Sequence, residues 1–123
     1  MIIKNGEIKQ LDQVWLYDKS GKHEEVLIKA VVEEGVKLEA RGLIKITKNV
    51  KNIDVFLRYK VLMLGKNSEA TVMPQLEIES DEVKAGHAAS IGRVDEEQVF
   101  YLMSRGLKRK EAVKLIVEAF LNE

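Results

Sequence analysis

Between Glu24 and Ile78 the apolar residues recur at every second position, in runs cut short by glycine or asparagine turns. That period buries one face of a strand and leaves the other to solvent, and no convincing long helix fits it. EEVLIKAVVE holds several residues that also suit a helix, but Val26, Ile28 and Ala30 alternate, the β-branched content is high and Gly35 stops the run early, so it reads as a strand. Val36, Leu38 and Ala40 alternate with Lys37, Glu39 and Arg41, and LIKIT resumes the pattern after Gly42. In Ile53–Leu64, Val55, Leu57, Tyr59, Val61 and Met63 share one face, while Phe56, Leu62 and Leu64 make the other partly apolar. This strand is expected to be covered on both sides over part of its length. Gly65–Ser68 is a turn. Ala70, Val72, Leu76 and Ile78 finish the β region, with Pro74 at an edge or a bend because it cannot donate to a ladder.

The start of the chain has the same character. Ile2 and Ile3 lead into the turn dipeptide Asn5-Gly6, a short strand is expected around Ile8–Leu11, and Val14–Tyr17 is an apolar run closed by Asp18–Lys22. A hairpin and a coil of a solenoid fit this part equally well, and no exact internal repeat decides between them.

After Ile78 the pattern changes. Ser80–Gly92 is small and polar, which predicts a connection. Asp95 suits a helix N-cap, with Gln98 three residues on as in a capping box, Glu96 and Glu97 at the positive end of the dipole, and Gly106 as the left-handed stop. Val99, Leu102 and Met103 form a helical face expected to pack on the β region, with Phe100 and Tyr101 beside it; Phe100 is expected to fill the seam. A second helix from Arg109 to Leu121 carries the stripe Val113, Ile116, Val117, Phe120 and Leu121. The organisation is therefore strands over 1–80, a connecting loop over 81–94 and a two-helix hairpin over 95–123.

Composition narrows the function classes. A chain of 123 residues is one domain, or a compact domain with an appendage, and large enough for its own core. No apolar run approaches the ~18 residues of a membrane span, and the opening MIIKNGEIKQLDQVW has no secretory pattern, so a cytoplasmic protein is expected. Twenty basic and twenty acidic residues cancel, which argues against a general polyanion binder. The absence of cysteine removes every thiolate that a disulfide, a zinc knot or an iron–sulfur cluster would need.

One ordered run carries a resemblance. Pro74-x-Leu-Glu-Ile, an acidic pair with Val83-Lys84, then His87-x-Ala-x-x-Gly-x-Val-Asp-Glu-x-x-x-Phe-Tyr-Leu-x-Ser-Arg-Gly106, continued by Glu111-Ala112 and Ala119-Phe120, resembles the carboxy-terminal signature of the SufB/SufD scaffold family of iron–sulfur cluster assembly. The resemblance is strongest from about Leu38 onward. It implies a mainly β fold with C-terminal helices: a short right-handed parallel β-helix (β-solenoid) region followed by the helical hairpin. It also implies a non-enzymatic scaffold or adaptor that docks a SufC-type ABC ATPase through those helices. Family members are several times longer, so the chain resembles the last few rungs plus the helical end. An apolar rung is then left for the amino-terminal fifty residues or a second chain to cover, and a second chain, either another copy or a longer SufB/SufD-like scaffold, is favoured.

The resemblance also marks site residues. His87 matches a family histidine near the interface where nascent clusters are thought to form, which makes it a cluster or metal ligand candidate. The usual loop is Lys-Cys-Ser-His-Gly-Ala, and here it reads Lys84-Ala85-Gly86-His87-Ala88-Ala89. A lone imidazole cannot hold a cluster, so no cofactor is expected on this chain alone, and a transient iron–sulfur cluster only in a complex. Asp95, Glu96, Gln98, Tyr101, Ser104 and Arg105 are the partner-binding candidates, supplying steering charge, an aromatic anchor and a polar rim.

Other readings are weaker. His23 sits in a turn with nothing near it that suggests a site. Glu77, Glu79, Asp81 and Glu82 read as a solvated acidic edge. Ser90, His87 and Asp95 are the residue types of a hydrolytic triad but lack a nucleophile elbow, and no glycine-rich phosphate loop occurs. Arg105, Lys108, Arg109 and Lys110 around the helix junction would suit a nucleic-acid-binding helix-turn-helix, an alternative that the balanced charge disfavours. A structural homo-oligomer without a cluster role is the other alternative.

Overall fold

The structure, a computed structural model, describes residues 2–4 and 10–123. The Asn5-Gly6 turn and the first part of the expected Ile8–Leu11 strand lie outside these residues. Seven strands, β1 (Ile2–Lys4), β2 (Gln10–Tyr17), β3 (His23–Val32), β4 (Lys37–Ile46), β5 (Ile53–Met63), β6 (Glu69–Ile78) and β7 (Val83–Arg93), precede two helices, α1 (Glu96–Ser104) and α2 (Arg109–Asn122). Consecutive strands alternate between two sheets, one ordered β1-β3-β5-β7 and the other β2-β4-β6. Every described pairing is parallel, and each strand lies beside the one two before it. The hairpin reading of the start is thereby excluded, since β2 pairs with β4 and not with a sequence neighbour.

The period-two pattern explains the core. Ile28, Ala30 and Val32 of β3, Leu38, Ala40, Ile44 and Ile46 of β4, and Ile53, Val55, Leu57, Tyr59 and Val61 of β5 turn inward and are buried together between the sheets. The polar positions between them face out. Tyr59 lies so close to β4 that a Cβ on Gly42 would stand 2.1 Å from its hydroxyl, which is why the strand needs a glycine in mid-run. At turns between strands Gly21 and Gly35 have positive φ, and Asn49 and Asn52 adopt the same left-handed backbone. Ser68 closes another turn: its buried hydroxyl donates to the Glu33 carbonyl at 2.7 Å and accepts from the Gly65 N–H at 3.2 Å.

The stretch 81–94, expected as a connecting loop, is instead mostly β7. Ala85, Gly86, Ala88 and Ala89 have low strand propensity, and it is the uninterrupted register with β5, from Ile53 opposite Val83 to Met63 opposite Arg93, that holds them extended. Arg93 ends the strand by donating to the Gly65 and Ser68 carbonyls. The β region therefore runs on to Arg93, and only Val94 and Asp95 separate it from α1. Pro74 lies in β6, at the edge of its sheet, as expected.

A second cluster joins the helices to the outer face of the four-strand sheet. Val94, Val99 and Ala112 are buried, and Leu62 of β5 and Leu64 just after it pack on them with Leu102, Leu107, Val113 and Ile116. This covers the second face of β5, as its sequence predicted. Met103, expected in the packed face of α1, is exposed, because the short helix presents only Val99 and Leu102 to the sheet. Between the helices Gly106 (φ 100°) allows a Schellman turn: its N–H donates to the Met103 carbonyl at 3.0 Å and that of Leu107 to Leu102 at 3.4 Å.

Candidate functional site

Two surfaces bring the sequence-derived candidates together. The first is the end of the β region formed by β6 and β7, each the outermost strand of its sheet. Leu76 and Ile78 stand opposite buried Ile44 and Ile46, and Ile91 opposite buried Val61, so all three point the way the core points. All three are nevertheless exposed. His87 belongs to this open end: it stands opposite Leu57, faces the interior side of the sheet and is exposed. It lies on a strand and not in the flexible connection expected for it.

The donor set around His87 does not fit an iron–sulfur cluster. No cysteine exists in the chain, and among the described residues no group of three or more His, Asp or Glu side chains is placed to hold a metal ion. His23 lies at the start of β3, with Nε2 3.0 Å from the Asn52 side-chain oxygen.

The second surface is α1, where the partner-binding candidates divide into two groups. Asp95, Glu96 and Gln98 have local duties. Asp95 is the N-cap, its carboxylate accepting from the Glu97 N–H at 3.0 Å. Glu96 forms a two-bond fork with Arg109, 2.8 and 2.9 Å, that ties the first turn of α1 to the start of α2. The guanidinium beside it lowers the Glu96 pKa, and the carboxylate in turn raises that of Arg109. Gln98 lines a cleft between the helices and β5 instead of closing a capping box. The box contact stands at α2, where the Lys108 N–H donates to the Glu111 carboxylate.

Tyr101, Ser104 and Arg105 remain on the outside. The Arg105 guanidinium donates to the Tyr101 hydroxyl at 3.1 Å and sits 5.3 Å from the centre of its ring, while the Ser104 hydroxyl donates to the Tyr101 carbonyl. Phe100, expected in the seam, is 74% exposed, and Met103 stands on the same side three residues on. Sequence reasoning thus missed two apolar members of this surface. Their i, i+3 spacing was the available signal, since Val99 already fixes the buried side of so short a helix. Of the basic residues at the helix junction, Arg109 is engaged by Glu96 and Arg105 by Tyr101, which gives the helix-turn-helix reading no support.

The chain is mainly parallel β with a helical hairpin, an open β end and an exposed aromatic helix face. Comparison with known proteins gives the family. The family model described as "SUF system FeS cluster assembly, SufBD core domain" matches residues 5–120. The chain is 36% identical over 112 residues to the iron–sulfur cluster assembly protein SufD of Escherichia coli, covering 90% of this chain and 26% of that protein. It is 38% identical over 96 residues to SufD of Bacillus subtilis, covering 78% of this chain and 22% of the relative. A SufBD family protein of Archaeoglobus fulgidus is 38% identical over 95 residues, 77% of this chain and 25% of its own length. The chain belongs to the SufBD family of iron–sulfur cluster assembly, and it spans about a quarter of the length of these relatives.

Proposed function

We propose that this chain is a non-catalytic scaffold or adaptor of the SufB/SufD type, acting in the cytoplasm, that docks a SufC-type ABC ATPase through α1. The observation that carries this reading is the exposed group Phe100, Tyr101, Met103 and Arg105 on one helix of a SufBD-family chain. An apolar patch with an arginine rim is what a hot spot requires, and Val99 and Ala112 beneath it hold the helix against the sheet. The alternation of strands between two parallel sheets supports reading the β region as rungs of a right-handed β-helix, in line with the family resemblance. Nucleotide-driven movement of the ATPase would reach the open β end through this rigid region.

The open end supports the second half of the proposal. Edge strands β6 and β7 and exposed Leu76, Ile78 and Ile91 suit pairing with a second copy or a longer SufB/SufD-like scaffold. His87 would lie in that interface, and any cluster thiolates would come from the covering chain. If α1 takes no partner, the same exposed end favours a structural homo-oligomer.

The test is copurification of the chain with the SufC-type ATPase of the same cell, wild type against a Phe100→Ser, Arg105→Glu double variant. Glu96 is left untouched because its fork with Arg109 links the first turns of the two helices. Association of the wild type, lost in a folded variant, supports docking through α1. No association where a full-length scaffold does associate overturns it.

A further inference from the structure

Lys29 lies in the middle of β3 and is only 3% exposed, although its neighbours Ile28 and Ala30 turn into the core and it points out of the sheet. A buried lysine is costly unless its ammonium is fully engaged. Here the Nζ donates to the Phe120 carbonyl at 2.8 Å and to the main-chain oxygen of Glu123 at 3.0 Å, and sits 5.6 Å from the centre of the Phe120 ring. Lys60, its register partner on β5, reaches the Glu123 carboxylate at 3.9 Å.

These contacts answer a deficiency in α2. The last carbonyls of a helix lack intrahelical donors and carry the negative end of its dipole. A basic residue in the last turn usually meets that need, and α2 has none there. The cation comes from β3 instead. The inward side of α2 is apolar along its length, with Ala112, Val113, Ile116 and Val117 packed, and its last turn borders a cleft of about 280 Å³ lined by Leu62, Gln98, Ala119, Phe120 and Glu123.

We infer that Lys29 is a latch that fixes the C-terminal half of α2 on the four-strand sheet, so that opening the latch frees the last turns of α2 locally. Lys29 is a positioning residue: it holds the last turns of α2 in place. This goes beyond the proposed docking and requires no partner.

Amide hydrogen exchange of Lys29→Met, which keeps the apolar stem, tests the latch without any partner. The expected result is exchange faster by roughly tenfold or more in residues 116–122, the scale of a lost charge-assisted hydrogen bond, with β3 and β5 unchanged. Lys29→Arg, which retains a cation, is expected to stay within about threefold of wild type, and Lys60→Met, which removes only the longer exposed pair, within about twofold. Unchanged protection of α2 in Lys29→Met, equal loss in Lys29→Arg, or loss spread evenly over β5 overturns the inference. Failure of Lys29→Met to fold overturns it too, because Lys29 would then be part of the global core and not a local latch.

Discussion

Glu96 and Arg109 form a two-bond carboxylate–guanidinium fork, 2.8 and 2.9 Å, between the first turn of α1 and the first residue of α2. The fork lowers the Glu96 pKa, so its contribution is present above the ordinary glutamate range and is lost as pH falls through the lowered value. Arg109→Gln should lower the melting temperature slightly at neutral pH, the pair being exposed, and the wild-type and variant curves should meet in acid. A gap that stays constant through the acid range would show that the loss is not that of the fork.

Gly42 and Tyr59 form a second coupled pair. A Cβ at position 42 would meet the Tyr59 hydroxyl at 2.1 Å and Leu57 and Trp15 at 3.0 Å, so Gly42→Ala should cost about 1–3 kcal/mol by overpacking. The Tyr59 hydroxyl is buried and has no hydrogen-bond partner among the described residues. Tyr59→Phe should therefore be neutral or stabilising, and in Gly42→Ala it should recover part of the loss. Urea unfolding of the four proteins checks this, and simple additivity would refute the contact.

Tyr17 and Tyr59 should both resist ionisation. Burial raises each pKa, and for Tyr17 the hydrogen bond to Glu24 and the charge of that carboxylate add to the effect. A raised folded-state pKa means stability that is intact below the unfolded tyrosine value and lost as pH climbs past it. Of the chain's three tyrosines, these two should develop phenolate absorbance only together with loss of the β signal in circular dichroism. Full ionisation of all three in a folded chain would contradict the burial.

The strands were legible because most of them bury one face, and the alternation survives into β4 and β5 almost residue by residue, whereas β3 is buried at every position from Ile28 to Val32. β7 was not legible. Its Ala, Gly and Ser residues carry no strand preference, and their extended form comes from pairing with β5, which no local pattern records. The helix surface was legible in part: Asp95 and Gly106 mark the ends of α1, yet the exposure of Phe100 and Met103 depends on how little of a nine-residue helix can reach the sheet. Lys29 carried no local signal either, since its partners lie ninety-one and ninety-four residues away.

Self-association should depend on the open β end. A Leu76→Lys, Ile91→Lys variant places charge on exposed side chains without touching buried Ile44 or Val61. Light scattering should show any wild-type dimer reduced to monomer with the circular dichroism unchanged. A dimer that persists would locate the self-contact elsewhere.

Docking through α1 is tested most directly by following backbone amide exchange along the chain while the SufC-type ATPase is added. Added protection confined to residues 96–106, with β6 and β7 unaffected, is the predicted result. Protection centred on β6 and β7 with α1 unchanged, or no footprint at saturating ATPase, would contradict the account.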